Sequence, residues 1–201
     1  MPRLALNKSS LSREKARLET YRAVLPALDL KRRQLLAERG KSARTLQDLE
    51  ERLEEIERWV GEELPMLANG GVNLAGLVTV RRVEWARQNL VGVSVPYVRA
   101  VELDRLPYSF LAKPHWVDAV SAKLGEYLEL WIRRECEVRR LECLERAVRK
   151  VTQRFNLFDK VLIPDARRNI DRIRVFLSDL ERAAVVRAKI AKRKRQDVGS
   201  T

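Results

Sequence analysis

The side chains best equipped for chemistry are few: one histidine, two cysteines and a short group of glycines. His115 stands between Pro114 and Trp116 at the start of a predicted helix, with no serine or cysteine nucleophile motif near it, and reads as structural. Cys136 and Cys143 are seven residues apart, which on a helix sets them on one face about 10 Å from each other, too far to bridge. No other Cys or His lies at ligand spacing around them, so they read as reduced packing thiols rather than a redox pair or metal ligands. A G-x-x-x-x-G-K-[ST] phosphate loop is absent, and Gly70, Gly71 and Gly76 do not form a dinucleotide fingerprint. No catalytic, cofactor or metal site is expected, and no direct nucleotide binding.

What remains chemically is basicity. A formal charge of +13 and a pI near 10.2 draw the chain to something acidic: nucleic acid, an anionic membrane surface or an acidic protein. The densest run, Lys189, Lys192, Arg193, Lys194 and Arg195, has no aromatics interleaved, so it lacks the stacking groups of a nucleic-acid platform. No apolar run approaches the roughly 20 residues needed to cross a bilayer, and Met1-Pro2-Arg3-Leu4 lacks a signal peptide's apolar segment, so a cytoplasmic protein without direct membrane insertion is expected.

The elements that must carry this charge are long helices. With 34% of its 201 residues charged, 6% aromatic and only 8 Gly and 7 Pro, the chain has little material for a round core. A stripe at Leu18, Tyr21, Leu25, Leu28, Leu35, Leu46, Leu49, Leu53, Ile56, Val60 and Leu67 keeps steps of three and four, missing rungs at Arg32, Arg39, Ser42 and Glu63, with Gly40 its weak point. After Pro114 a second stripe runs through Val117, Val120, Leu124, Tyr127, Trp131, Val138 and Leu141. It resumes at Leu144, Val148, Val151, Phe155, Phe158 and Leu162, then Ile170, Ile173, Leu177 and Leu180, which places a stutter between Val138 and Leu144.

Pro26 and Pro164 each interrupt a helix that otherwise continues, and in an antiparallel pair they would bend it at similar levels. Glu54 with Arg58, Glu135 with Arg139, Glu142 with Arg146 and Glu145 with Arg149 read as solvated i, i+4 pairs. Between the helices, Asn69-Gly70-Gly71 breaks the first, and the valines gathered from Val78 to Val101, with Pro96 among them, predict an edge-exposed hairpin that must lean on the helices or on a partner. The fold expected is all-α: a long antiparallel two-helix coiled coil with a small inserted β-hairpin. Its parts are a helix over 1–68, the hairpin insert over 69–113, a second helix over 114–195 and a disordered tail over 196–201.

Three stretches resemble a known family. Asn7-Lys8-Ser9-Ser10-Leu11, Leu18 and the block Leu28-Asp29-Leu30-Lys31-Arg32-Arg33-Gln34-Leu35 are similar to the opening of the D subunit, the central rotor shaft of V-type (archaeal/vacuolar-type) rotary ATPases, with Asn7 in place of the usual Thr. Thr152-Gln153-Arg154-Phe155-Asn156-Leu157-Phe158 followed by Val161-Leu162-Ile163-Pro164 keeps the spacing of that family's Thr-x-Arg-Arg-Val-Asn…Val-Ile-Pro run, and Asn89-Leu90-Val91-Gly92-Val93-Ser94-Val95-Pro96 resembles its Asn-x-x-Gly-Val-x-x-Pro segment.

The resemblance implies a non-catalytic shaft. One end would enter a hexamer of A and B subunits while the other rests on a membrane-side socket subunit and carries the F subunit, placing the chain in the soluble sector, peripheral to the membrane. Lys31, Arg32, Arg187, Lys189, Lys192 and Arg193 are the expected hexamer contacts, and Val80, Trp85, Val95 and Tyr97 the expected contacts to the F subunit. The reading from another class is a free-standing basic coiled-coil adaptor or nucleic-acid-associated protein, which the charge supports and the Asn156–Pro164 stretch does not.

Overall fold

The structure, a computed structural model, describes residues 4–65, 74–105 and 116–198, with side chains as far as Arg195. Helix α1 spans Lys8–Glu63, strands β1 and β2 span Val78–Leu90 and Val93–Arg105, α2 spans Trp116–Leu157, and after a π-helical turn at Phe158–Leu162, α3 spans Ile163–Val198. These elements belong to the all-α class with a small hairpin. Helix α3 runs three residues past the end expected at 195. The contacts divide into a middle unit, Lys31–Lys150, and a terminal unit, Met1–Leu30 with Val151–Thr201.

In the middle unit the α1 seam is the one expected, with Leu35, Leu49, Leu53 and Ile56 buried. The missing rung at Ser42 is filled by a polar contact: its hydroxyl donates to Glu137 Oε2 at 2.6 Å, and Arg140 Nη1 reaches Glu137 Oε1 at 3.2 Å. On α2 the expected rungs Trp131 and Val138 give way. Tyr127 donates to Glu57 at 2.8 Å, Leu130 packs with Leu49, Leu53 and Ile56, Arg134 meets Glu50 at 3.2 Å, Glu137 holds Ser42, and Leu144 is fully buried. These positions keep unbroken steps of three and four if Leu141 is included, so no stutter occurs between Val138 and Leu144. Two rungs are simply charged, and Trp131 is 48% exposed.

Such a polar layer favours one register, because slipping it strands a carboxylate. Ser42→Ala alone should lower stability by about 1–2 kcal/mol by removing a donor from a largely buried Glu137, whereas Ser42→Ala with Glu137→Leu should come within about 1 kcal/mol of wild type. Paired denaturation curves check this.

The hairpin is antiparallel from Val78↔Arg105 to Leu90↔Val93, with Arg81 and Arg99 each skipped at a register shift. Its two-residue turn holds Val91 at φ 53° and Gly92 at φ 77°, and positive φ at both centres is what a type I′ turn requires. Gly92 takes its positive φ without strain, and a Cβ there would meet only the flexible end of Lys31, whose Nζ lies 3.2 Å away. A β-branched residue at positive φ is strained, so Val91→Asn should stabilise the hairpin by about 1 kcal/mol, read as slower exchange of its amides. At the open end Leu77 joins Leu64, Val117 and Val120, with Trp59, Leu74 and Trp116 packed on them, which ties the strand base to both helices.

In the terminal unit Asn7 caps α1, its Oδ1 accepting from the Ser10 N–H at 2.7 Å, so the departure from Thr at this position exchanges one capping residue for another. Helices α1 and α3 pair antiparallel: Tyr21 meets Phe158 edge to face at 5.5 Å, and Asn169 Nδ2 donates to the buried Glu14 at 3.4 Å. Pro164 therefore lies opposite the stretch between Glu14 and Tyr21, while Pro26 lies beyond Tyr21, so the two prolines do not share a level. Helix α1 stays α-helical through Pro26, and the departure from α geometry comes just before Pro164.

Candidate interaction surfaces

The hairpin sets its four expected contact residues in different surroundings. Val80 is 41% and Trp85 50% exposed, with the Arg139 guanidinium 5.7 Å from the Trp85 ring centre. Tyr97 is half-buried and lines a cleft with Val98, Thr45 and Leu49 of α1, and Arg133, Cys136, Glu137 and Arg140 of α2. Val95 is fully buried, so its side chain covers the fold instead of meeting solvent, a correction to its place among the surface contacts. The hairpin leans on both helices, as a two-stranded sheet must.

Three described groups of the middle unit titrate away from their usual values, each for a local reason. Burial, and then the neighbouring Glu137, push the Cys136 thiol up from its usual value, which keeps it protonated at neutral pH. Cys143 is half-buried and accepts from Arg146 at 3.3 Å, and both cysteines are free. The hydrogen bond to Glu57 raises the Tyr127 phenol, and bonds to Glu135 and then Glu50 raise Arg134. Glu145 and Arg149 close at 3.5 Å, whereas Glu135 is taken by Arg134 at 2.6 Å and Arg139 turns to Trp85. Among the described residues no three His, Cys, Asp or Glu side chains gather as a metal would need, and no helix is long and apolar enough to cross a membrane. His115, Gly70 and Gly71 lie outside the described residues.

Charge is distributed unevenly. The described side chains of the terminal unit include eighteen Lys and Arg against eight Asp and Glu, those of the middle unit twenty-one against nineteen. Arg187, Lys189, Lys192 and Arg193 are all exposed near the end of α3, in a stretch where every side chain from Asp179 to Arg195 is exposed, Leu180, Val185, Val186 and Ile190 included. Lys31 and Arg32, expected to act with them, belong to the other unit. Both are half-buried, and Lys31 reaches toward the hairpin turn at Gly92. The six residues are therefore divided between the two units.

The terminal unit also assembles a basic lining that sequence reading missed. Lys15, Arg22, Arg167 and Arg174 line one groove between α1 and α3 with Glu19 and Asp171, and Lys8 and Lys15 line the adjoining groove with Arg174 and Glu181. The signal is present in the spacing: Lys8, Lys15 and Arg22 are seven apart, as are Arg167 and Arg174, which sets each series on one helix face. It is easily passed over, because charged residues beside an apolar seam ordinarily face only solvent.

The arrangement can present positive charge and hold a hairpin against two helices. Residues 10–193 match the family of ATP synthase D subunits. The chain is 31% identical over 199 residues to the V-type ATP synthase D subunit of Borreliella burgdorferi, covering 96% of this chain and 95% of that protein. It is 34% identical over 196 residues to the protein of the same name from Chlamydia abortus, covering 95% and 93%, and 34% over 201 residues to that of Chlamydia felis, covering 96% and 94%.

Proposed function

Since the chain belongs to the family of ATP synthase D subunits, we propose that it is the non-catalytic central-stalk subunit of a rotary V/A-type ATPase, turning between a hexamer of A and B subunits and an ion-translocating membrane ring. The observation that carries this reading is an antiparallel helix pair with the positive charge concentrated in the unit that contains both chain ends. A stiff seam transmits twist, and exposed, screened charge lets a surface turn inside an acidic collar without rebuilding specific contacts at each step. ATP chemistry then belongs to the A and B subunits, and the shaft biases their conformations in turn.

In this reading Arg187, Lys189, Lys192 and Arg193, with the groove residues Lys15, Arg22, Arg167 and Arg174, face the hexamer. Lys31 reaches toward the hairpin turn at Gly92, and Arg32 beside it in sequence is half-buried. Val80 and Trp85 offer the exposed part of a contact to the F subunit, with Tyr97 at its margin and Val95 supporting it from beneath. The remaining partner is a membrane-side socket subunit. The test is co-purification of the tagged chain from its native membranes in mild detergent. Recovery of A, B and F subunits with ATPase activity is expected; recovery of nucleic acid or unrelated proteins alone overturns the reading in favour of a free-standing basic adaptor.

A further inference from the structure

The π-helical turn Phe158–Leu162 sits where two sequence features coincide. Its ladder is shifted by one residue, the Ile163 N–H donating to the Phe158 carbonyl five positions back, and Pro164 follows immediately. A proline ring in a regular α-helix collides with the carbonyl four residues earlier, here that of Lys160, so the proline alone could account for the turn.

The seam offers a second cause. Before the turn Val151, Phe155 and Phe158 take steps of four and three, and the same frame continued would bury positions 162, 165, 169 and 172. The buried residues are instead Ile163, Ala166, Ile170 and Ile173, each one position later, while Arg172 is exposed. Without correction, one extra residue would swing everything beyond it by about 100° around the helix. A π turn takes up one residue within a single turn, and both frames then face α1: Phe158 against Tyr21 before the shift, and after it the buried Ile170, which lines the α1–α3 groove with Leu18.

We infer that the π turn is a one-residue joint required by the seam, with Pro164 tolerated there because the ladder has already shifted. It is the compliant point of this helix. Its hydrogen bonds have i→i+5 geometry, Pro164 withholds a donor in the next turn, and Val161 within the turn and Leu157 just before it stand 45% and 47% exposed. The pair can flex there while the apolar contacts on either side stay in register. The inference stands on geometry alone and does not depend on the stalk assignment.

Three versions of the whole chain test it by amide exchange and thermal melting: the natural chain, Pro164→Ala, and Pro164→Ala with Lys160 deleted, an exposed residue whose loss restores one continuous frame. In the natural chain the turn should exchange about tenfold or more faster than its flanking helix. Pro164→Ala should keep that rate within about threefold, because the seam still demands the extra residue. Deletion should slow it at least about tenfold with no loss of helicity or melting temperature. If Pro164→Ala alone slows the turn tenfold, the proline is the cause and the inference fails. It fails equally if the deletion protein melts lower or does not fold, since the seam would then not have carried a surplus residue.

Discussion

Leu144→Ala should cost about 3 kcal/mol, a drop of roughly 6–12 °C in the melting temperature of a chain this size. Leu144 is fully buried in the middle unit, with the half-buried Leu141 and the buried Val148 three and four residues away on the same helix face. Because the helical ladder fixes the spacing of those neighbours, they cannot move along the axis to fill the space, and the cavity term adds to the lost transfer energy. The same truncation at Leu157, 47% exposed, removes little buried area and should change stability by under about 0.5 kcal/mol. Melting curves of the two variants side by side decide the matter. Equal shifts would mean that the α2 seam does not run through Leu144.

Neutralising Arg187, Lys189, Lys192 and Arg193 together with glutamine should weaken binding to the A/B hexamer on the order of tenfold to a hundredfold at low salt. All four are exposed, so the fold should be unaffected, and far-UV circular dichroism controls for that. The difference should shrink toward nothing near 1 M salt, where the screening length falls to about 3 Å. Lys31→Gln with Arg32→Gln should leave hexamer affinity within about twofold, because Lys31 is turned to the hairpin at Gly92. Titration of labelled hexamer across salt concentrations measures both. An affinity unchanged by the quadruple substitution at every salt level would remove the terminal charge from the proposed contact.

Much of this fold is legible in the chain because helix pairing is a local code. Leu35, Leu49, Leu53 and Ile56 repeat at the spacing that buries one face, and they are buried. That code runs out on α2, where the seam rungs are not all apolar. Arg134 and Glu137 occupy seam positions, and Trp131, large and apolar, lies partly in solvent. Whether a charged residue is a rung depends on a partner some ninety residues away, Ser42 for Glu137 and Glu50 for Arg134, and no window of sequence contains both.

The candidate surfaces divide in the same way. Basic character and the exposed end of α3 follow from composition and from a run of charged residues, since a helix that dense in Lys and Arg has to stay in water. The grouping is not legible in that way. Lys31 brings its Nζ beside Gly92 of the hairpin turn, and Val95 disappears inside because it falls on the covered face. Spacing and composition along the chain are enough to set the helices, the seam of α1, the presence of a hairpin and the sign of the charge. Which charges are rungs, which hairpin side chains face out and where the surplus residue is absorbed were settled by packing, because in each case an element distant in sequence supplies the other half of the contact.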